Sequence, residues 1–407
     1  MGIFRQIPPT AGLPVYARDL GAFFDPALRQ GSLEEDFKRY LGVGYAAVTY
    51  SGTAALYLIL ETLKEVSSKK TVIIPSYICP LVPLAIQRAG LKAEVCDIKE
   101  GSFDLDPAAL EDICVTNKDI LAVIPAHLAG IPVDFDTIEH IAKQYGIITI
   151  EDCAQSLGAL YKGKRVGTLG DFAFFSLCRG KGLTLYEGGV AVAKDAGHAR
   201  LLDNKITQLV KGDFFSEALK VFELFGYWMF YRPQLFWFVF GLPALFWNLQ
   251  GRQLKAAIED FSVDFPIHKV SRFRKSAGRA GFRRLENEIG SQRHKAHQYM
   301  QGLKGIGRVR VIEGSKNATA TYPYLALLFK DQKDKKRFLE NPRNTGLGVS
   351  CIYRLAITGY DYLKGVVPNR ECPAARDFAE RHVTLSTSTF VRPEDLAAVI
   401  EGLAKNT

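Results

Sequence analysis

Two residues define the chemistry open to this chain. Asp152 follows an apolar run at 147–150, and Lys181 follows a second, at 172–177, 29 residues further on. An apolar run of four after an amphipathic helical pattern at 135–143 predicts a buried parallel strand. Asp152 then stands at that strand's carboxyl end, where open α/β sheets hold their ligands. Lys181 lies between Gly180 and Gly182, whose backbones bend freely. A lysine able to form a Schiff base and a carboxylate able to keep a ring nitrogen protonated are what a pyridoxal phosphate site requires. The plainer readings are a solvated lysine and an aspartate that caps a helix or pairs with a basic side chain.

The surrounding pattern supplies a frame for these two groups. Strand-like runs recur at 45–50, 71–74, 93–96, 120–124, 147–150, 172–175 and 190–193, mostly separated by helical patterns. Such βαβ alternation predicts a mainly parallel sheet covered on both faces. A short hairpin at 160–166 interrupts it. After the first strand comes Ser51-Gly52-Thr53 at the head of a strong helical pattern. A helix start with small residues offers unpaired N–H groups to a phosphate, and Thr53 can add a hydroxyl. The competing reading makes Ser51 or Thr53 an N-cap only.

The motifs Glu151-Asp152-Cys153-Ala154-Gln155-Ser156, Gly167-Thr168-Leu169-Gly170-Asp171, Ser176 through Lys181, and Glu187-Gly188-Gly189 occur in order. Ser51-Gly52-Thr53-Ala54-Ala55-Leu56 and His127-Leu128-Ala129-Gly130 precede or separate them. Together they resemble the DegT/DnrJ/EryC1/StrS family of pyridoxal-phosphate enzymes, mostly sugar aminotransferases. The likeness covers most of the first 195 residues and fades to an outline in the last 140. It implies the fold type I transferase architecture, like that of aspartate aminotransferase: a seven-stranded, mainly parallel sheet in a large domain, plus a small C-terminal α/β domain. It implies Lys181 as the catalytic residue, with Gly52, Thr53, Ala54, Tyr77, Asp152, Gln155 and Ser176 around pyridoxal 5'-phosphate. His127 and Lys269 are weaker candidates for substrate contact, and no metal is expected. A buried structural histidine is the competing reading of His127.

Two positions depart from the family pattern. The family commonly carries an aromatic ring four residues after the proline of its second strand motif; here Pro75 is followed at that offset by Cys79. Either Tyr77 swings in or the cofactor packs on a thiol. Near residue 267 the family often has an asparagine that reaches the partner subunit; this chain reads Pro266-Ile267-His268-Lys269.

A chain of 407 residues exceeds one compact core. The expected division is a large domain at 1–212, an aromatic insert at 213–265 and a small domain at 266–407. Seven cysteines without zinc spacing suggest reduced thiols in the cytoplasm. The opening residues show no signal-peptide core. The net charge of +9 fits an anionic substrate or membrane surface. No nucleic-acid motif accompanies it, so nucleic acid is not expected as a partner.

The insert holds all three tryptophans (228, 237, 247). Asp213, Glu217, Lys220 and Glu223 form one helical stripe, and Phe214, Leu219, Phe222 and Phe225 the other. The following run at 235–247 is too short to span a bilayer. Three readings stand: a dimer or domain interface, a membrane-surface element, or an apolar wall for a lipid-linked substrate. Beyond it, 269–303 is a helical pattern dense in Arg272, Arg274, Lys275, Arg279, Arg283 and Arg284. It reads as a solvated face or a phosphate-binding groove. Strands are expected at 308–312, 322–329 and 349–353, a solvated charge run at 330–337, and a last helix at 393–403. Residues 1–32 are expected to wrap the surface.

The resulting expectation is a homodimeric aminotransferase moving an amino group, by family likeness from glutamate, onto a nucleotide-linked ketosugar. The setting would be surface polysaccharide, glycan or secondary-metabolite synthesis. The alternatives are a sugar dehydratase of the same family and a non-catalytic, membrane-associated protein that kept the fold.

Overall fold

The computed structural model describes residues 5–252 and 259–405. The opening residues of the N-terminal segment and part of the expected insert lie outside the described residues. Nine strands come first: β1 (Tyr45–Thr49), β2 (Thr71–Pro75), β3 (Lys92–Cys96), β4 (Ile120–Val123), β5 (Ile148–Asp152), β6 (Leu160–Tyr161), β7 (Lys164–Arg165), β8 (Phe172–Ser176) and β9 (Gly189–Ala193). Seven of them form one sheet in the order β1-β9-β8-β5-β4-β2-β3. The seven expected strands are all present, within two residues at each end. β2 pairs in parallel with β3 and β4, β4 with β5, and β5 with β8, while β9 is antiparallel to both neighbours. β6 and β7 are the expected hairpin, to which β11 (Ala318–Thr319) adds a third strand.

Helices cover the sheet because their apolar stripes match its faces. Gly52–Val66 buries Leu56, Ile59, Leu60 and Leu63, and Phe135–Tyr145 buries Ile138 and Ile141. Burial of such side chains contributes about 1.5–3 kcal/mol each. The C-terminal sheet runs β10 (Val309–Val311), β12 (Tyr324–Phe329), β14 (His382–Ser386), β13 (Val349–Ser350), all antiparallel. β14 escaped the sequence reading. It is a short central strand in which polar His382, Thr384 and Ser386 alternate with Val383 and Leu385, yet every residue is buried. The charge run expected to be merely solvated is the helix Gln332–Glu340, capped by Asp331 and anchored by Phe338.

The N-terminal segment does not wrap the surface. Ile7, Ala11, Leu13 and Val15 are buried. The strap is tied by backbone bonds from Ile7 N to Gly346 O and from Leu13 N to Lys181 O, both between remote parts of the chain. Nor are the basic residues of 269–303 a free face. Most lie on two helices, Arg272–Phe282 and Leu285–Gly302, with Arg283 and Arg284 in the turn between them. Arg274 pairs with Glu217, Lys275 with Glu34, Arg279 with Asp36 and Arg284 with Asp19. These four cations are spent on holding the N-terminal helices and the insert, so the phosphate-groove reading fails for them.

In the insert, the helix Phe214–Phe230 is amphipathic but turned inside out. Glu217 is buried, whereas Phe214, Phe215 and Phe222 are exposed. A π-helical turn, Trp237–Gly241, leads into Leu242–Leu249. Among the described residues no helix is long and apolar enough to cross a membrane.

Candidate active site

Asp152 and Lys181 open into one cavity of about 580 Å³, at the carboxyl ends of β5 and β8. This is the size of an ordinary small-molecule site. Gly52, Thr53, Ser176, Cys79, Ala154 and Gln155 share its wall. Across from them the C-terminal sheet region contributes Tyr324, Ser350, Cys351, Tyr353 and Thr384.

Asp152 ends β5, whose last turn of chain fixes it. Its Oδ1 accepts the Ala154 N–H at 2.9 Å. Burial pushes the carboxyl up to about 6, partly offset by the Ala154 N–H and then by the Lys181 cation. A buried carboxylate in that state gains from a cation placed against it. Lys181 is set by its neighbours. Gly180 adopts φ +76°, a conformation that favours glycine, and its carbonyl accepts from Thr10 Oγ1 at 3.0 Å. Burial raises the thiols of Cys79 and Cys178 on either side, so both stay protonated beside the lysine.

The helix Gly52–Val66 aims its N-terminus at the end of β8. A Cβ on Gly52 would meet the Ser176 Cβ at 3.1 Å, a tight contact, so glycine suits this close approach. Gly52, Thr53 and Ser176 thereby form a cradle at a helix N-terminus, the local environment that suits a phosphate. Ser51 is the N-cap, and its Oγ accepts the Ala54 N–H at 3.0 Å. Ala54 is buried outside the cavity wall, with its N–H already given to Ser51 Oγ.

Gln155 is held on three sides. Its Oε1 accepts from Ala129 N at 3.0 Å and from the Tyr324 hydroxyl; its Nε2 donates to Tyr353 Oη at 3.1 Å. Its amide is thus oriented before any ligand arrives. Tyr353 has φ +41°, strained for a tyrosine, and such strain gathers at functional sites. Glu259 lines the same cavity and accepts from Tyr360 Oη at 2.7 Å and from Arg354 N.

Three expectations are corrected. Tyr77 does not swing into the cavity. It is fully buried among Phe103, Phe378 and His382, and its hydroxyl donates to the carbonyls of Ile352 and Tyr353. Cys79 takes the cavity wall instead. His127 is structural: its Nε2 meets Glu151 Oε2 at 3.1 Å and its Nδ1 accepts Val133 N–H at 3.2 Å. Glu151 also accepts from Gly167, Leu169 and Gly170 N–H, which fills all four lone-pair sites of the carboxylate. The close grouping of His127, Glu151 and Cys153 is therefore an internal lock on the Gly167–Asp171 turn. Lys269 is exposed and lies outside the cavity wall, tied by its N–H to Lys211 O.

Sequence reasoning missed Tyr324, Tyr353 and Glu259. All three reach the site from more than 75 residues beyond Lys181, and no local motif marks them. The Pro9-Thr10 contact was missed for the same reason on the other side.

The profile of the DegT/DnrJ/EryC1/StrS aminotransferase family matches residues 26–213 and 268–404, leaving 214–267 unmatched. An uncharacterized protein of Methanocaldococcus jannaschii is 25% identical over 382 residues, spanning 91% of this chain and 88% of its own. The GDP-perosamine synthase of Caulobacter vibrioides is 34% identical over 172 residues, 42% of this chain and 46% of that enzyme. A Streptococcus pneumoniae protein solved in its PLP form superimposes with a TM-score of 0.73 over 98% of both chains at 20% identity, a likeness of fold.

Proposed function

Because this chain belongs to the DegT/DnrJ/EryC1/StrS aminotransferase family, we propose that it uses pyridoxal 5'-phosphate to move an amino group, from glutamate, onto a ketosugar joined to a phosphate-bearing carrier such as a nucleotide. The observation that carries this reading is the convergence of Lys181, Asp152 and the Gly52–Thr53–Ser176 cradle on one cavity. Support for the acceptor class comes from the perosamine synthase likeness, and for the cofactor from the pneumococcal relative in its PLP form.

The residues fit the cofactor by their donor set. The Gly52 helix terminus, Thr53 and Ser176 would hold its phosphate, and Asp152 its ring nitrogen. Gln155 would lie against its ring hydroxyl. When bound, the cofactor supplies an electron sink for cleavage of a C–H bond next to nitrogen. The Lys181 amine is the base positioned to take that proton on Nζ and return it. Asp152 supplies the negative charge that keeps a ring proton in place, and its burial makes that pairing strong. Tyr324 and Tyr353 hold the Gln155 amide still, so binding orders fewer groups. Residues of the C-terminal sheet region form a facing wall of the cavity.

The reading includes a cytoplasmic homodimer and a peripheral membrane contact through 213–250. The outward-turned apolar face of the insert supports both a protein and a lipid neighbour. Sedimentation of the intact chain with and without anionic liposomes separates them.

The test of the activity is the absorption spectrum of the purified protein and of Lys181→Ala, before and after glutamate. A visible cofactor band that is lost in the variant, and that glutamate converts to a shorter-wavelength band in the wild type, supports the reading. No band after adding pyridoxal phosphate overturns it.

A further inference from the structure

A second cavity, of about 550 Å³, shares Pro9, Thr10, Arg179 and Phe240 with the first. The remaining wall is mostly the insert, with Gly226, Tyr227, Phe230, Tyr231 and Phe236 among its residues. The insert falls in the internal stretch, 214–267, that the family profile skips. Two further wall residues, Phe222 and Val239, are also exposed, so the cavity is continuous with the insert's outer apolar face.

Gly226 is the informative position. It lies inside the helix Phe214–Phe230, where glycine costs about 1 kcal/mol relative to alanine. A Cβ built there meets nothing within 4 Å. No packing contact demands the glycine, and its absent side chain leaves room in the cavity. Arg179 stands on the wall common to both cavities. Among the described residues its guanidinium makes no hydrogen bond or ion pair, and its neighbour is the face of Tyr186, 5.6 Å away. Glu187 and Glu223, on the walls of the first and second cavity, act on Arg179 from beyond ion-pair distance, so a guanidinium with no direct partner, between a polar reaction cavity and an aromatic one, is left to meet an anionic group flanked by a reacting head and an apolar chain.

We propose that the aromatic cavity binds an apolar tail of the amino acceptor, with the phosphate that joins tail to reacting head set against Arg179. The acceptor class is then a phosphate-linked amphiphile rather than a nucleotide. This deepens the aminotransferase reading and rests on it only for what happens at Lys181.

The test is calorimetric titration of the cofactor-loaded protein with decyl phosphate, decanol and uridine diphosphate, in wild type, Gly226→Leu, Val239→Trp and Phe215→Ser. Leucine at 226 raises helix propensity while filling the cavity, and Val239→Trp fills it from the opposite wall. The expected result is saturable binding of decyl phosphate, at least tenfold tighter than decanol or uridine diphosphate. Either filling variant weakens it at least tenfold, and Phe215→Ser, on the outer face, leaves it unchanged. No saturable binding, equal binding in both filling variants, loss in Phe215→Ser alone, or tighter binding of uridine diphosphate would each overturn the proposal. Because the readout is heat of binding, it can fail while the glutamate-driven spectral change succeeds.

Discussion

The Arg274 guanidinium forks the Glu217 carboxylate between two helices, and Arg274 is fully buried while Phe222, on the far side of the Glu217 helix, stands 74% exposed. The ion pair, reinforced by Arg274 bonds to the carbonyls of Leu185 and Glu187, docks the insert on the turn that follows Lys181. Its polar stripe is the inward one. Glu217→Ala would leave a buried cation unpaired, at a cost of about 3–5 kcal/mol. Urea unfolding should show a lower midpoint, and an Arg274→Met, Glu217→Leu double variant should recover much of the loss. Phe215→Ser, on the outward face, should stay within about 0.5 kcal/mol of wild type.

Asp152 gives a pH signature in the cofactor-free protein. Its folded pKa, about 6, lies above the ordinary carboxylate value of 3.8. A raised value means that its contribution to stability is fully present below pH 3.8 and is lost as pH rises through 6. Asp152→Asn removes that loss. Cofactor-free Asp152→Asn should therefore be more stable than wild type at pH 8, by up to about 3 kcal/mol, and the two should converge near pH 4. The same variant should hold pyridoxal phosphate more weakly. A variant no more stable at pH 8 would show that Asp152 is not strained in the empty site.

The half of the site carried by local pattern was legible from the sequence alone. Asp152, Ser176 and Lys181 each stand at or just beyond the end of an apolar strand, and strand ends can be read from hydrophobic runs. Tyr353, Tyr324 and Glu259 were not legible, because folding brings them in from the C-terminal sheet and the tail of the insert. Tyr77 was misplaced for a related reason: its position after β2 was right, but its ring turns toward Phe378 and His382, residues 300 positions away. The insert shows a different limit. Helical periodicity separated the Glu217 stripe from the Phe222 stripe correctly, yet which stripe faces inward depended on Arg274, which lies on another helix.

Tyr353 is predicted to act through Gln155. Its hydroxyl is the acceptor for Gln155 Nε2, and Tyr353→Phe keeps the ring while removing that acceptor. An unpaired buried amide donor costs about 1–3 kcal/mol. The unfolding midpoint of the cofactor-free protein should fall accordingly, and with the Gln155 amide no longer held, cofactor affinity, followed by the visible band on dilution, should fall as well, on the order of fivefold or more. Equal cofactor affinity in wild type and Tyr353→Phe would remove Tyr353 from the positioning of Gln155.

His382 should make the protein acid-labile. Its ring is fully buried at the start of β14, with Nε2 3.0 Å from Tyr77 Oη, and burial, then the Lys335 cation, pushes its pKa down to about 3. The folded protein thus keeps this ring neutral, while the unfolded chain protonates it near 6.5. A depressed value means that its contribution is fully present above 6.5 and is lost as pH falls toward 3. The loss is about 1.4 kcal/mol per pH unit. His382→Phe would give up the Tyr77 contact, a cost of about 1 kcal/mol at pH 8, but would not titrate. Its stability curve should cross that of wild type below pH 6, so that at about pH 4.5 the variant is the more stable protein. Curves that stay parallel from pH 8 to about pH 4.5 would show that His382 is protonated in the folded state, and the buried Tyr77–His382 contact would then need a charged ring to explain it.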